Sequence, residues 1–256
     1  MRRLFDFGRE SRYNGKGGGA LLAVRAEKLL DGFLMLCLLF AAYLLVRTAA
    51  ELSTVSAGER QMGPSLVIDP GHGGFDGGAI AFNGVKESDI NLAIGLKLCD
   101  LAGLYGIPTA MTRTDDRSRT AYENYSEHED LAARAAFANA VPNGILISIH
   151  QNFFPTSQPS GAQVLYAPGR KSKELGETLQ ALLVSQLQPA NRRLAEPAPK
   201  SLFLTSHVNC PAVLVECGFL SNFSDLELLT QDAFQSSVAA VLLAAFLQCF
   251  SSSPGL

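Results

Sequence analysis

Cysteine is scarce in this chain, and none of it is placed to do chemistry. Cys37, Cys99, Cys210, Cys217 and Cys249 are odd in number and widely spaced, which excludes a disulfide framework and a cysteine-built zinc site and leaves small core residues. Internal repeats are missing, and low complexity is confined to Gly17-Gly18-Gly19. The glycine-rich stretch over residues 71–78 has neither Gly-x-Gly-x-x-Gly spacing nor a P-loop lysine. A nucleotide-phosphate loop is therefore excluded, and its glycines serve tight turns or close backbone approach to a ligand. Beyond residue 47 there is no basic surplus: 13 Lys/Arg face 20 Asp/Glu, a net charge of −7. Nucleic acid is not an expected partner for so acidic a body.

With 256 residues, 47% of them apolar, the chain can bury one sizeable core. The basic residues it does have gather at the front. Arg2, Arg3, Arg9, Arg12, Lys16, Arg25 and Lys28 precede an apolar run over 32–46, after which small residues follow. This layout is that of an export signal or membrane anchor. The run is shorter than the roughly 20 residues of a spanning helix, but Leu29, Leu30 and the residues to Ala50 extend it across Asp31 and Arg47. The expected organisation is a basic cytoplasmic segment over 1–28, a signal or anchor over 29–50, a linker over 51–64 and a catalytic domain over 65–256. Positive-inside orientation puts that domain outside the cytoplasm, either tethered to the membrane or secreted to the wall.

Within 65–256 short apolar runs alternate with helical periodicity. Strands are expected at 65–69, 109–112, 144–149, 162–166 and 212–215. Helices are expected from Ser88 onward, with Ile90, Ile94, Leu98 and Leu101 on one face, and over 130–140, 172–187 and 232–250. Residues 188–200, with three prolines, read as a loop. The implied fold class is α/β: one domain with a twisted, mostly parallel sheet covered by helices on both faces.

Four residues of metal-site chemistry stand at strand ends or at a helix mouth. His72 follows the first strand in Asp69-Pro70-Gly71-His72-Gly73-Gly74, and Glu87 opens the first helix. His150 ends a central strand in Ser148-Ile149-His150-Gln151-Asn152, and Glu216 ends the last in Leu214-Val215-Glu216-Cys217-Gly218-Phe219. All four fall on the carboxyl edge of the sheet, where open α/β folds bind ligands. Two His and one Glu suit a catalytic zinc ion, Zn2+, and a second Glu suits its general base. Glu216 carries particular weight, because a carboxylate ending an apolar strand needs a cation or a proton. Strand alternation turns Cys217 to the opposite face. His128 and His207 belong to no motif.

These segments, with Asn91-Leu92, Thr112-Arg113-Thr114-Asp115 and Leu220-Ser221-Asn222, resemble the zinc-dependent N-acetylmuramoyl-L-alanine amidases of bacterial cell walls over about residues 65 to 248. The resemblance implies zinc held by His72, Glu87 and His150, with Glu216 as catalytic acid/base. It implies hydrolysis of the bond between the muramic acid lactyl group and L-alanine of peptidoglycan. The anchor-like front, the small size and Gly161-Ala162-Gln163 are similar to the sporulation amidases that act on spore-cortex peptidoglycan. Gln151, Asn152, Arg113 and Arg134 are candidates for substrate contact, the arginines through peptide carboxylates, and equally for a structural hydrogen bond or ion pair. An activator protein is a possible partner. Another zinc peptidase acting on wall peptides, or a non-catalytic wall-binding module, would use the same groove.

Overall fold

A computed structural model describes residues 35–44, 47, 63–120 and 125–250. The chain divides into two compact units, Met1–Gln61 and Met62–Leu256. In the first, α1 (Met35–Leu44) is a short apolar helix whose Met35, Leu36, Leu38, Leu39 and Phe40 are exposed. The expected basic segment and residues 51–62 of the expected linker lie outside the described residues.

The second unit begins with β1 (Ser65–Pro70), α2 (Glu87–Leu104), β2 (Thr109–Met111), α3 (Glu127–Ala140) and β3 (Gly144–Asn152). It continues with β4 (Gln163–Tyr166), α4 (Arg170–Leu182), β5 (Glu196–Pro197), α5 (Phe203–His207), β6 (Ala212–Phe219), α6 (Phe223–Leu229) and α7 (Asp232–Phe250). Six strands form one sheet in the order β2-β1-β3-β6-β4-β5. Its neighbours are parallel except that β4 runs antiparallel to β6. A parallel strand here would need a helical crossover between β3 and β4. Residues 153–162, however, carry no helix to act as a crossover, so the chain turns back instead.

Period-two alternation divides the sheet into two unlike faces. Leu66 and Ile68 of β1, Ile145, Ile147 and Ile149 of β3, and Val213, Val215 and Cys217 of β6 point to one side. There they meet Ile90, Ile94 and Leu98 of α2, Leu175 and Leu179 of α4, and Val238, Leu242 and Phe246 of α7. Cys217 thus faces away from Glu216, as strand alternation requires. By length and composition α7 could cross a membrane, but its Val238, Ala239, Leu242, Ala245 and Phe246 are buried in this core. The opposite face is thinner: Val67, Leu146 and Ala212 meet Ala135 and Ala138 of α3, Ala167, and Leu204 of α5, with the partly buried Phe137, Val141, Phe203, Val208 and Cys210 packed against them. Further along that face stand Asp69, Ser148, His150, Leu214 and Glu216.

Local signals explain several element ends. Glu87 and Asp89 place negative charge in the first turn of α2, where the helix dipole favours it. Ser126 caps α3, moving its start upstream of the expected residue 130. Asn222 accepts from the Ser224 and Asp225 amides as the cap of α6. The helix expected over 172–187 begins at Arg170 and closes in a π turn over Leu183–Leu187. Sequence periodicity gave no sign of α5, α6 or β5, each shorter than two and a half helical turns or a normal strand.

Candidate active site

His150 and Glu216 occupy the interior of their strands, because β3 runs on to Asn152 and β6 to Phe219. They are direct Cα partners in the parallel β3–β6 pairing, and the register slips by a bulge just beyond, between His150 and Asn152. Parallel register puts both side chains on the thin face. His72 lies two residues past β1 with φ 61°, a left-handed conformation uncommon for a non-glycine residue. Glu87 is the first residue of α2 and reaches back to both rings. Its Oε1 lies 3.0 Å from His150 Nδ1 and 3.2 Å from His72 Nε2. The two rings meet edge to face with centroids 4.9 Å apart. One donor atom from each of His72, Glu87 and His150 lies within 4.8 Å of the others. Gly71 makes this approach possible: a Cβ there would stand 2.2 Å from His150 Nε2, inside van der Waals contact.

The surrounding hydrogen bonds fix the orientation of each group. Asp76 Oδ2 is 2.6 Å from His72 Nδ1, which leaves Nε2 as the nitrogen turned to the centre. A carboxylate behind a ligating imidazole is the usual orienting arrangement at zinc. The backbone amides of Gln151 and Ala79 donate to Glu87 Oε1 and Oε2, each at 3.0 Å. Burial alone would raise the pKa of Glu87, but His150 and His72 hold its carboxyl far below the usual range. Burial likewise opposes charge on His72, and the bonds to Asp76 and Glu87 outweigh it, raising the imidazole to about 10. The two carboxylates beside His72 thus favour a positive charge at this point of the site.

Glu216 is in a different condition. Burial pushes its carboxyl up to about 7, with His150 pulling downward and Glu87 pushing further up. Its Oε2 is shielded from solvent and has no hydrogen-bond partner. An unpartnered buried carboxylate oxygen is costly, and it borders the same cavity as both imidazoles. Two imidazoles, one carboxylate and a second, proton-accepting carboxylate fit a catalytic zinc centre with an open position. The cavity measures about 250 Å³ and is lined by Asp69, His72, Asp76, Tyr125, Asp130, His150, Phe203, Thr205 and Glu216, among others.

The residues expected to touch substrate are placed otherwise. Gln151 is buried, and its Nε2 donates to Asn91 Oδ1 at 3.1 Å. Asn152 is half-buried at the bulge, where its carbonyl accepts from the Leu220 amide at 2.8 Å. Arg113 and Arg134 are only 6% and 2% exposed. Arg134 pairs with Asp69 at 2.8 Å and Asp130 at 2.7 Å, and Arg113 donates to backbone carbonyls. These bonds give both arginines a structural role inside the protein, and Arg134 also lines the cavity. His128 and His207 are exposed and pack on the ring of Phe203, at 5.0 and 3.8 Å between centroids. Asn91 entered the sequence reading only through the resemblance, and Asp76 was not singled out at all. Asp76 has a readable signal, a carboxylate four residues past a candidate ligand in a glycine-rich turn.

Comparison with known proteins agrees with this geometry. Residues 66–248 match the family model described as N-acetylmuramoyl-L-alanine amidase. The germination-specific N-acetylmuramoyl-L-alanine amidase of Bacillus subtilis is 31% identical over 194 residues, 74% of this chain and 81% of that protein. The uncharacterised B. subtilis protein YqiI is 32% identical over 190 residues, 73% of this chain and 85% of that one. The CwlD amidase of Clostridioides difficile, solved in complex with the GerS lipoprotein, is similar with a TM-score of 0.70 and 33% identity, covering 74% of this chain and 100% of that chain. The chain thus belongs to the N-acetylmuramoyl-L-alanine amidase family, enzymes of the bacterial cell wall.

Proposed function

We propose that this amidase is zinc-dependent and cleaves the amide between the muramic acid lactyl group and L-alanine of peptidoglycan stem peptides, with His72, Glu87 and His150 as ligands and Glu216 as general base and acid. The observation that carries the reading is the convergence of three donor atoms within 4.8 Å, beside a carboxyl raised by burial to about 7. A zinc ion held there would polarise the scissile carbonyl and acidify water, the chemistry such ions supply. Glu216, shielded and without a partner at Oε2, takes the proton of the attacking water. It then delivers that proton to the nitrogen of L-alanine, since an amine leaves poorly unprotonated. Asp76 keeps His72 in one tautomer throughout, and the main-chain amides of Gln151 and Ala79 keep Glu87 in place.

Likeness to a germination-specific amidase and to CwlD supports action on spore-cortex peptidoglycan. The lipoprotein bound to CwlD supports a protein activator for this chain as well. The exposed apolar α1 supports a signal or membrane anchor over 29–50, with a basic segment at 1–28, a linker over 51–64 and the catalytic domain over 65–256. This arrangement holds the enzyme at the outer face of the membrane or releases it to the wall.

The test is mass spectrometry of purified cortex and vegetative peptidoglycan digested by the protein, with and without a chelator. The expected products are intact stem peptides with a free L-alanine amine, lost on chelation and restored by zinc. Glu216→Gln should retain bound zinc and lose about 10²- to 10⁴-fold in rate, the usual contribution of a positioned proton carrier. His72→Ala should lose zinc and turnover together. Shortened stems with L-alanine still attached to muramic acid would identify a peptidase instead, and normal turnover by Glu216→Gln would remove the base from its role.

A further inference from the structure

We infer that Arg134 and Arg113 are positioning residues for the metal centre: they clamp the main chain of residues 70–72 so that His72 meets Glu87 and His150, and thereby set the affinity for zinc. The inference rests on the zinc reading above and concerns groups that never touch the ion.

Three successive carbonyls after β1 are gripped from two sides. Arg134 Nη1 donates to Pro70 O at 2.9 Å and Nη2 to His72 O at 2.7 Å. Arg113 Nε donates to Pro70 O at 2.8 Å and Nη2 to Gly71 O at 3.0 Å. The same Nη2 lies 2.7 Å from Ser88 O, tying this turn to the first turn of α2, where Glu87 sits. One guanidinium therefore bridges the residue before His72 and the residue after Glu87. Asn91 Nδ2 adds a second donor to Gly71 O at 3.2 Å.

His72 is held at φ 61° inside this grip. A β-carbon-bearing residue there relaxes toward negative φ unless its surroundings over-determine it, and relaxation would swing the imidazole away from Glu87. The next residue is shaped for the clamp: at Gly73, φ 123°, a Cβ would stand 2.9 Å from Arg113 Cδ and Nε. Charge balance does not explain both arginines. Arg134 is neutralised by Asp69 and Asp130, whereas Arg113 gives its hydrogen bonds to the carbonyls of Pro70, Gly71, Ser88 and Asp115. A buried cation spent on carbonyls is expensive to maintain, and what it secures here is a backbone shape. The planar fork of arginine can hold several acceptors at fixed angles, which a lysine ammonium cannot.

Lysine substitution separates shape from charge. Arg134→Lys keeps a cation beside Asp69 and Asp130 but loses the fork, and Arg113→Lys does the same on the other side. In the full chain, both variants should show cooperative melting of the zinc-free protein. Zinc affinity, read by competition with a chromophoric chelator, should be weaker by about 10- to 100-fold, as for other groups behind metal ligands. At saturating zinc, kcat and KM for muropeptide should both return to wild-type values. Unchanged zinc affinity in the folded variants would overturn the inference, and so would a raised KM at saturating zinc with affinity unchanged, which marks a substrate contact. If Arg134→Lys does not fold, Arg113→Lys carries the same expectation alone. A wild-type protein that binds no zinc would overturn the underlying assignment of ligands, a failure distinct from zinc binding that ignores the arginines.

Discussion

The face of the sheet under α2, α4 and α7 is filled by Leu, Ile, Val and Phe, whereas the face under α3 and α5 holds alanines, short apolar contacts and a chain of ions. On the thick side Leu98, Ile94, Leu179, Leu242 and Phe246 are essentially inaccessible to solvent. On the thin side Asp69 accepts from Thr112 and Ser148, each at 2.6 Å, and pairs with Arg134, which pairs in turn with Asp130. Both flanks bury atoms, but by different physics. Apolar burial is non-directional and stabilises in proportion to area. A buried ion network adds little net stability when complete and costs heavily when one member is missing. The same strands therefore carry a cohesive side, and a side where polar groups line the cavity beside the residues that could hold a metal ion.

Substitutions on the two flanks can break this contrast. The largest expected effect is Asp69→Ala, which strands Arg134 without its deepest partner. A loss of about 3–5 kcal/mol is expected, seen in urea denaturation, together with weaker zinc binding. Leu98→Ala on the thick side should cost about 2–5 kcal/mol through lost burial and a cavity, with zinc affinity unchanged. Equal damage to zinc binding from Leu98→Ala would show that the flanks are not separable. Acid sharpens the contrast more gently. Burial would raise the Asp69 carboxyl, but Arg134, Ser148 and Thr112 outweigh it and lower its pKa from 3.8 to about 2. Because the folded value is the lower one, its stabilisation is complete above 3.8 and is lost as pH falls toward about 2. Denaturation midpoints across that window should fall in the wild type and fall less in Asp69→Asn. The smallest effect belongs to Lys97→Ala: its 2.6 Å pair with Asp232 joins α2 to α7, but Asp232 is 85% exposed, so the loss should stay below about 1 kcal/mol.

Much of this was legible in the sequence, for reasons that also mark where reading stops. Apolar runs over 65–69, 144–149 and 212–215 gave the three central strands because both faces of each are covered, so every residue reports burial. His72, Glu87, His150 and Glu216 were readable because ionisable groups beside apolar strands are conspicuous. Sequence left Arg113 and Arg134 open between substrate contact and structural pairing, because their acceptors include main-chain carbonyls, which every residue has and no motif announces. An arginine on the helical stripe of α3 looks like a solvated charge until Asp69, 65 positions away, is brought to it. Asp76 sat within a glycine run that drew attention to backbone freedom, so its carboxylate was passed over. The direction of β4 depended on residues 153–162 having no crossover helix, a property of what that segment fails to form.

The pairing of His150 with Glu216 across β3 and β6 has a mechanical meaning. Two residues opposed in a parallel ladder sit one inter-strand spacing apart, about 4.8 Å, a distance fixed by the hydrogen bonds of the ladder. In this protein the strands concerned are the two middle ones, so neither can slide without unzipping the sheet. His150 and Glu216 are thus built into a rigid ruler, while His72 and Glu87 hang from a turn and a helix tip. Any engineered loosening or tightening of this enzyme has its leverage at the turn and the tip, and none at the ruler.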